Sequence, residues 1–440
     1  MSKLKTYLLS HSDSIGGGPR AAYRTHSALR EAGVDSVMVV NQAVIGDWTV
    51  KGPNGAIGKL KAKLYSGLGG IMGRRVKDGN PTPHSLACLP TNRAQDFNSE
   101  PIDLIHLHWV NGEMLSINDI GNIRKPVVWT LHDMWAFSGA EHYVADDGAA
   151  RWRQGYSPSN RPKSESGFDL NAWTWRRKQK AWKHPKPIHI VTPSRWLTEC
   201  ASQSELMKGW PMHVVPNPLN TEVWKPVDKA TARELLHLPA KAPLLMFGAI
   251  GGSADPRKGF DLLREALTFL KAVQEKAQAK SQAQDTLSPL QGLELVIFGQ
   301  HAPEQAEDLG FPVHYMGHVH DDVSLRLLYS AADVMVVPSR QEAFGQTASE
   351  ALACGTPVAA FNATGLMDVL EHRISGYLAK AFEAEDLAAG IEWLFSELAK
   401  SNQLNIAARK RAVDCFSYPV VAKQYEAIYR QAISEHANAF

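Results

Sequence analysis

Long apolar runs are missing from this sequence. No stretch approaches the roughly 18 apolar residues that a membrane-spanning helix requires. The opening MSKLKTYLLSHSDS has too short an apolar part for a secretory leader, so Thr6–Ser10 reads as a first buried strand. Cysteine is scarce. Cys88, Cys200, Cys354 and Cys415 stand apart without CxxC or metal-ligand spacing, which argues against a disulfide framework or a zinc module. They read as buried thiols in a reducing compartment, and the chain is expected to be cytoplasmic. Neither sign of charge prevails: 47 Lys and Arg face 45 Asp and Glu, a net charge of +2. Charge of that size does not point to nucleic acid.

What is present is an ordinary globular composition, 44% hydrophobic and 21% charged, over 440 residues, enough for two or three domains. Short apolar runs alternate with helical patterns. Tyr7–Leu9, Ser36–Val40, Leu104–Leu107, Val127–Leu131 and His189–Thr192 read as strands, with a helix over Ala21–Ala32 and Ser194 as a helix cap. The same grammar restarts after Pro216. Strands are predicted at Leu244–Phe247, Leu293–Phe298, Val313–Tyr315, Val334–Val337 and Val358–Ala360, and helices at Leu262–Leu270, Ser324–Ala331 and Thr347–Ala353. This alternation predicts an α/β protein with two doubly wound, parallel-sheet domains in series. The expected division is 1–214, 215–417 and a last helical stretch, 418–440, crossing back to the first domain. Lys271–Gln291, rich in Ala, Gln and Lys, reads as a helix extension and solvated loop.

The densest chemistry lies in VVPSRQEAFGQTASEALACGTPV, residues 336–358. A buried strand ends at Pro338, a loop carries Glu342, and a helix is predicted from Gly345–Thr347. Ligands of open α/β sheets bind beyond the carboxyl ends of strands. A helix's first turn offers N–H groups and about half a unit of positive charge to a phosphate. Gly345 lets a phosphate approach the backbone. Glu342 then faces a sugar hydroxyl, and Glu350 accepts hydrogen bonds as a carboxylate does from a ribose. Alone, two glutamates eight apart read as surface residues.

Their surroundings change that. Glu-x-Phe-Gly, the second Glu and Ala-x-x-Cys-Gly-Thr-Pro-Val together resemble the signature of retaining glycosyltransferases of family 4, glycosyl transferases group 1. That resemblance implies a GT-B architecture, two Rossmann-like domains facing a central cleft. LYSAADVMVVPS (328–339) and FGAIGGSADPRKGFDLLREAL (247–267) are similar to the same family. The latter implies a phosphate-binding lysine, matched by Lys258. Ala249 stands roughly where many members carry an arginine, and Arg257 is the candidate substitute. HSDSIGGGPRAAY (11–23) resembles the family's first glycine-rich loop, and VVWTLHDMW (127–135) a strand end whose histidine, here His132, lies near the transferred sugar. His108 in IDLIHLHW fits site and structure equally. Asn217 matches the loop opening the second domain, with Pro218 and Asn220 in place of the usual Gly and Asp.

The resemblance thus assigns the chemistry to His132, Glu342, Lys258 and Arg257, and donor contacts to Gly17, Gly18, Asn217, Phe344, Gly345, Gln346, Thr347 and Glu350. No Asp-x-Asp occurs in the sequence, in keeping with a site without metal and no cofactor beyond the nucleotide-sugar co-substrate. The implied activity is retaining, metal-independent, front-face transfer of a sugar to a glycan or lipid-linked acceptor. A sugar-nucleotide 2-epimerase and a non-catalytic carbohydrate-binding protein are the alternatives. LHDMWAFSGAEHY resembles the bacterial exopolysaccharide and colanic-acid subset, although Glu141 and Ala150 stand where that subset often has cysteines.

On the acceptor side, two segments stand out. Trp152, Trp173, Trp175 and Trp182, among Arg and Lys in Tyr143–Lys186, are candidates for stacking on acceptor sugars. GAIGKLKAKLYSGLGGIMGRRVKD (55–78) fits either a helix lying peripherally on the inner membrane surface or a core-packing helix with a solvated face. Tyr418, Tyr425 and Tyr429 read as packing residues.

Overall fold

A computed structural model of the chain describes residues 3–183, 188–248, 255–281, 288–305, 307–319 and 321–438. Two compact units emerge, one comprising the residues up to Pro218 together with those from Tyr418 on, the other Leu219–Ser417.

The first unit is built on seven strands: β1 (Lys5–Ser12), β2 (Asp35–Gln42), β3 (Val50–Lys51), β4 (Leu104–Leu107), β5 (Val127–Thr130), β6 (His189–Thr192) and β7 (Met212–Val214). They form one parallel sheet in the order β3-β2-β1-β4-β5-β6-β7. The second unit contains β8 (Leu244–Gly248), β9 (Glu294–Phe298), β10 (Val313–Tyr315), β11 (Val334–Val337), β12 (Val358–Phe361) and β13 (Gly376–Ala379), ordered β10-β9-β8-β11-β12-β13 and also parallel. Both are Rossmann-like, and the fold is of GT-B type.

The central strands are Val-, Ile- and Leu-rich because both sheet faces are covered. Along β8 and β11, Leu245, Phe247, Val334 and Val336 enter one core while Leu244, Met246, Met335 and Val337 enter the other. Strand order reverses between β1 and β4 and again between β8 and β11. The crevice beyond the carboxyl ends at such a reversal is where open α/β sheets bind ligands.

Three short strands, β3, β7 and β13, escape the sequence reading. β7 also moves the domain boundary: it pairs with β6, and Val215 is buried in the first unit's core. The division therefore falls after Pro218 rather than after Val214. The first helix runs Gly17–Glu31, four residues earlier than its apolar pattern predicts. Gly16, at φ 97°, starts it, and Pro19 suits a first helical turn. Ser194 does cap its helix, accepting from Leu197 N.

The Tyr418–Asn438 helix packs on Gly17–Glu31, and Val421, Tyr425 and Tyr429 are buried with Leu8, Leu104 and Val128. The two tyrosines also reach into the sheet. His106 Nδ1 lies 2.6 Å from Tyr429 Oη and its Nε2 2.7 Å from Thr130 Oγ1, which in turn is 3.0 Å from Tyr425 Oη. Tyr429→Phe is expected to leave His106 Nδ1 unpaired in a dry site, costing about 1–3 kcal/mol and lowering Tm by about 2–10 °C. Calorimetry of the two proteins measures it; an unchanged Tm would mean the bond contributes nothing.

Candidate functional site

In the second unit the chemistry gathers where β11 ends. Pro338 leads into a loop that carries Glu342 and closes at Gly345, the N-cap of the Gln346–Ala353 helix. Gly345 has φ 97°, and a Cβ there would lie 2.6 Å from Leu366 Cδ2. Glycine thus makes the turn and brings the first helical turn close to whatever lies before it. Lys258 follows β8 in sequence, at the end of the short Pro256–Lys258 helix. Its Nζ donates to Glu342 Oε1 at 2.5 Å, and Ser339 Oγ donates to the same oxygen at 3.0 Å. Lys258 and Glu342, 84 positions apart in sequence, thus form one partly exposed ion pair.

Backbone contacts fix that pair. Gly259 follows Lys258 at φ 65°, and a Cβ on it would run into the Pro338 carbonyl. Arg340 N donates to the Arg257 carbonyl at 2.7 Å, while its guanidinium meets both Asp261 oxygens at 2.7 Å. Glu342 N donates to Thr364 Oγ1, and Glu342 O accepts from Gly365 N. Sequence reading missed Gly259, Arg340, Asp261 and Thr364 as supports. Gly259 had a signal, a glycine directly after the basic pair; the others had none.

The remaining expected residues separate. Glu350 is buried, and Tyr329 donates to its Oε2 at 3.0 Å. Gln346 and Thr347 occupy the partly exposed first turn of the helix. The Phe344 ring is buried in the core and meets Phe416 edge-on at 5.4 Å. Arg257 turns onto Asp255, with Nη2 2.7 Å from Oδ2. Ala249 lies outside the described residues.

In the first unit, Gly17 and Gly18 open the helix after β1. A Cβ on Gly18 would sit 3.3 Å from His132 Cβ and Cγ and 3.4 Å from Trp109 Cβ, so glycine seats this helix start against His132. His132 Nε2 lies 2.9 Å from His108 Nδ1, the two rings stacked at 5.2 Å. His108 is buried and lies tilted against His106, ring centroids 4.1 Å apart. Burial holds His106 and His108 well below the ordinary imidazole range and His132 at about 4. All three are neutral at pH 7.

Several buried polar atoms near these strand ends have no partner among the described residues: Ser10 Oγ, His11 Nδ1, Asn41 Oδ1, His108 Nε2 and Asn111 Nδ2. They lie at or just past the carboxyl ends of β1, β2 and β4. Buried polar groups are seldom left unsatisfied, so such a grouping marks where a hydroxyl-rich ligand or ordered water fits. Asn217 is buried in the loop beyond β7.

The tryptophans do not form an acceptor platform. Trp152, Trp175 and Trp182 are buried, and Trp173 lies under the Arg177 guanidinium. Cys200 and Cys354 are buried, whereas Cys88 and Cys415 are only half-buried.

Residues 250–411 match the model of the family Glycosyl transferases group 1, so the second unit carries such a domain. The chain is 34% identical over 232 residues to a D-inositol 3-phosphate glycosyltransferase of Geodermatophilus obscurus, covering 51% of this chain and 48% of that protein. It is 30% identical over 244 residues to the enzyme of that name from Thermobispora bispora, covering 54% and 55%. The chain spans about half the length of the curated relatives it matches. In fold it is similar to a sucrose-phosphate synthase of Thermosynechococcus elongatus, with TM-score 0.62, 20% identity and coverage of 98% of this chain and 100% of that one. It is also similar to HepE of Anabaena in complex with UDP and glucose, with TM-score 0.59, 17% identity and coverage of 97% and 100%.

Proposed function

We propose that this chain is a glycosyltransferase that moves a sugar from a nucleotide-sugar donor to a glycan or lipid-linked glycan acceptor, with retention and without a metal ion, in bacterial polysaccharide biosynthesis. The observation that carries this is the Lys258–Glu342 pair set beside the glycine-started helix at the β8–β11 reversal. A donor's diphosphate would take Lys258 and the helix's first turn as countercharge, while Glu342 and Glu350 accept from sugar and ribose hydroxyls. The leaving diphosphate itself would receive the acceptor's proton, so catalysis rests on positioning and charge stabilisation.

His132, neutral at pH 7, suits hydrogen bonding to a sugar hydroxyl better than proton transfer. Accordingly, kcat/KM is expected to show no histidine inflection between about pH 6 and 8. An inflection near the ordinary imidazole pKa, abolished by His132→Gln, would assign it a proton-carrying role instead.

A nucleotide-release assay over a panel of nucleotide sugars tests the reading, with UDP-glucose the first donor to try because HepE binds UDP and glucose. Release that depends on an added acceptor supports transfer. Interconversion of the sugar nucleotide without an acceptor would establish the 2-epimerase, and no nucleotide binding would leave a carbohydrate-binding protein. The relatives named for D-inositol 3-phosphate favour a second acceptor reading, a phosphorylated cyclitol, which belongs in the same panel.

A further inference from the structure

The helix Gly55–Gly73 rests on its unit by glycine. Only Gly69 and Gly73 are buried along it. A Cβ on Gly69 would lie 2.6 Å from Glu113 Cγ, and one on Gly73 would strike the His84 carbonyl. The glycines are therefore the seat of the helix, although they weaken its propensity. On the opposite side Ile57, Leu60, Leu64, Leu68 and Ile71 recur at three- and four-residue steps, which places them in one stripe. All are exposed, Ile57 by 85% and Leu60 by 68%. A helix that turned its apolar face to the core would do the reverse.

Charge completes the pattern. Lys59, Lys61, Lys63, Arg74, Arg75 and Lys77 are exposed in and just after the helix, and no Asp or Glu occurs from Gly52 to Lys77. Lys61 and Lys63 flank the stripe on its two sides by helical geometry. Among the described residues no helix is long and apolar enough to cross a membrane. At 19 residues this one is about 28 Å long. Two copies meeting face to face would oppose two basic surfaces, whereas an anionic bilayer matches both the apolar stripe and its cationic flanks.

We propose that the Gly55–Gly73 helix lies in the surface of an anionic lipid bilayer, its Ile57–Ile71 stripe among the acyl chains and its lysines at the headgroups. This docking is independent of the donor-site reading, because vesicle binding needs neither donor nor acceptor.

Flotation of the full chain with vesicles tests it. Binding is expected to phosphatidylcholine mixed with phosphatidylglycerol, to be far weaker to phosphatidylcholine alone, and to fall with added salt. Each of Lys59→Gln, Lys61→Gln and Lys63→Gln is expected to weaken partitioning about fivefold. The triple variant Leu60→Ser, Leu64→Ser, Leu68→Ser should weaken it more than about a hundredfold while keeping the circular-dichroism spectrum, since these side chains are exposed. Salt dependence of the unaltered protein provides a reading that requires no variant. The proposal is overturned if the unaltered chain stays unbound with anionic vesicles, or if the triple-serine variant floats equally well. It is also overturned, in favour of a second copy, if the chain dimerises through this stripe and ignores vesicles.

Discussion

Lys258→Ala is expected to lower kcat for sugar transfer about a thousandfold, the upper range for deleting one preorganised charge at a developing anion. Lysine here is held rather than merely present. Gly259 at φ 65° lets the backbone pass against the Pro338 carbonyl, and Arg340 ties the segment to the Glu342 loop from both ends. Removing the ammonium leaves Glu342 with Ser339 and partial exposure, so folding should survive. The measurement is steady-state kinetics with the melting temperature followed alongside. A fall in kcat with an intact melt places the charge in the transition state. A rise in KM alone would restrict Lys258 to donor binding, and near-normal transfer would remove it from the site. Lys258→Arg is expected to recover only part of the rate, because a planar fork does not reproduce a compact ammonium against Glu342.

Glu350→Ala is expected to weaken binding of the nucleotide donor about a hundredfold, the value of losing charged hydrogen bonds to hydroxyls. The carboxylate is buried, and Tyr329 holds one oxygen. Loss of that tyrosine bond will itself cost stability, so calorimetric titration must be paired with Tyr329→Phe. That variant removes the tyrosine contact and keeps the carboxylate. If Glu350 meets the donor, Tyr329→Phe keeps most of the affinity and Glu350→Ala does not. If both variants lose affinity only as far as they lose stability, Glu350 is a structural acid.

Fold and site were unequally legible in the sequence. Strands such as Val334–Val337 and Val358–Phe361 announce themselves because burial on both faces demands continuous apolar residues. β7 and β10 are three residues long and only partly buried. Only the second was read, although Met212–Val214 is as apolar as Val313–Tyr315. Glu342, Glu350 and Lys258 were legible as a motif. The contact between Lys258 and Glu342 was not, since it spans 84 positions.

The tryptophan-rich segment misled for a physical reason. Its arginines lie over its own rings, Arg151 on Tyr156 at 4.5 Å and Arg153 on Trp152 at 4.2 Å, and Arg151 also pairs with Asp169 at 2.6 Å. Charge interleaved with aromatics here closes on itself and leaves little for a ligand. Along Gly55–Gly73 the opposite holds, since there the glycines, which lower helix propensity, are its contact with the protein.

Tyr429 lies 323 positions after its partner His106. During synthesis, then, the first unit emerges from the ribosome long before it can close its core. The strands up to β7 must wait, with the face around Leu8, Leu104 and Val128 uncovered, while all of Leu219–Ser417 is made. The second unit has no such debt and is free to fold as it emerges. The half made first is thus completed last, and the interval in which its apolar face stands open is when this chain is most in need of a chaperone.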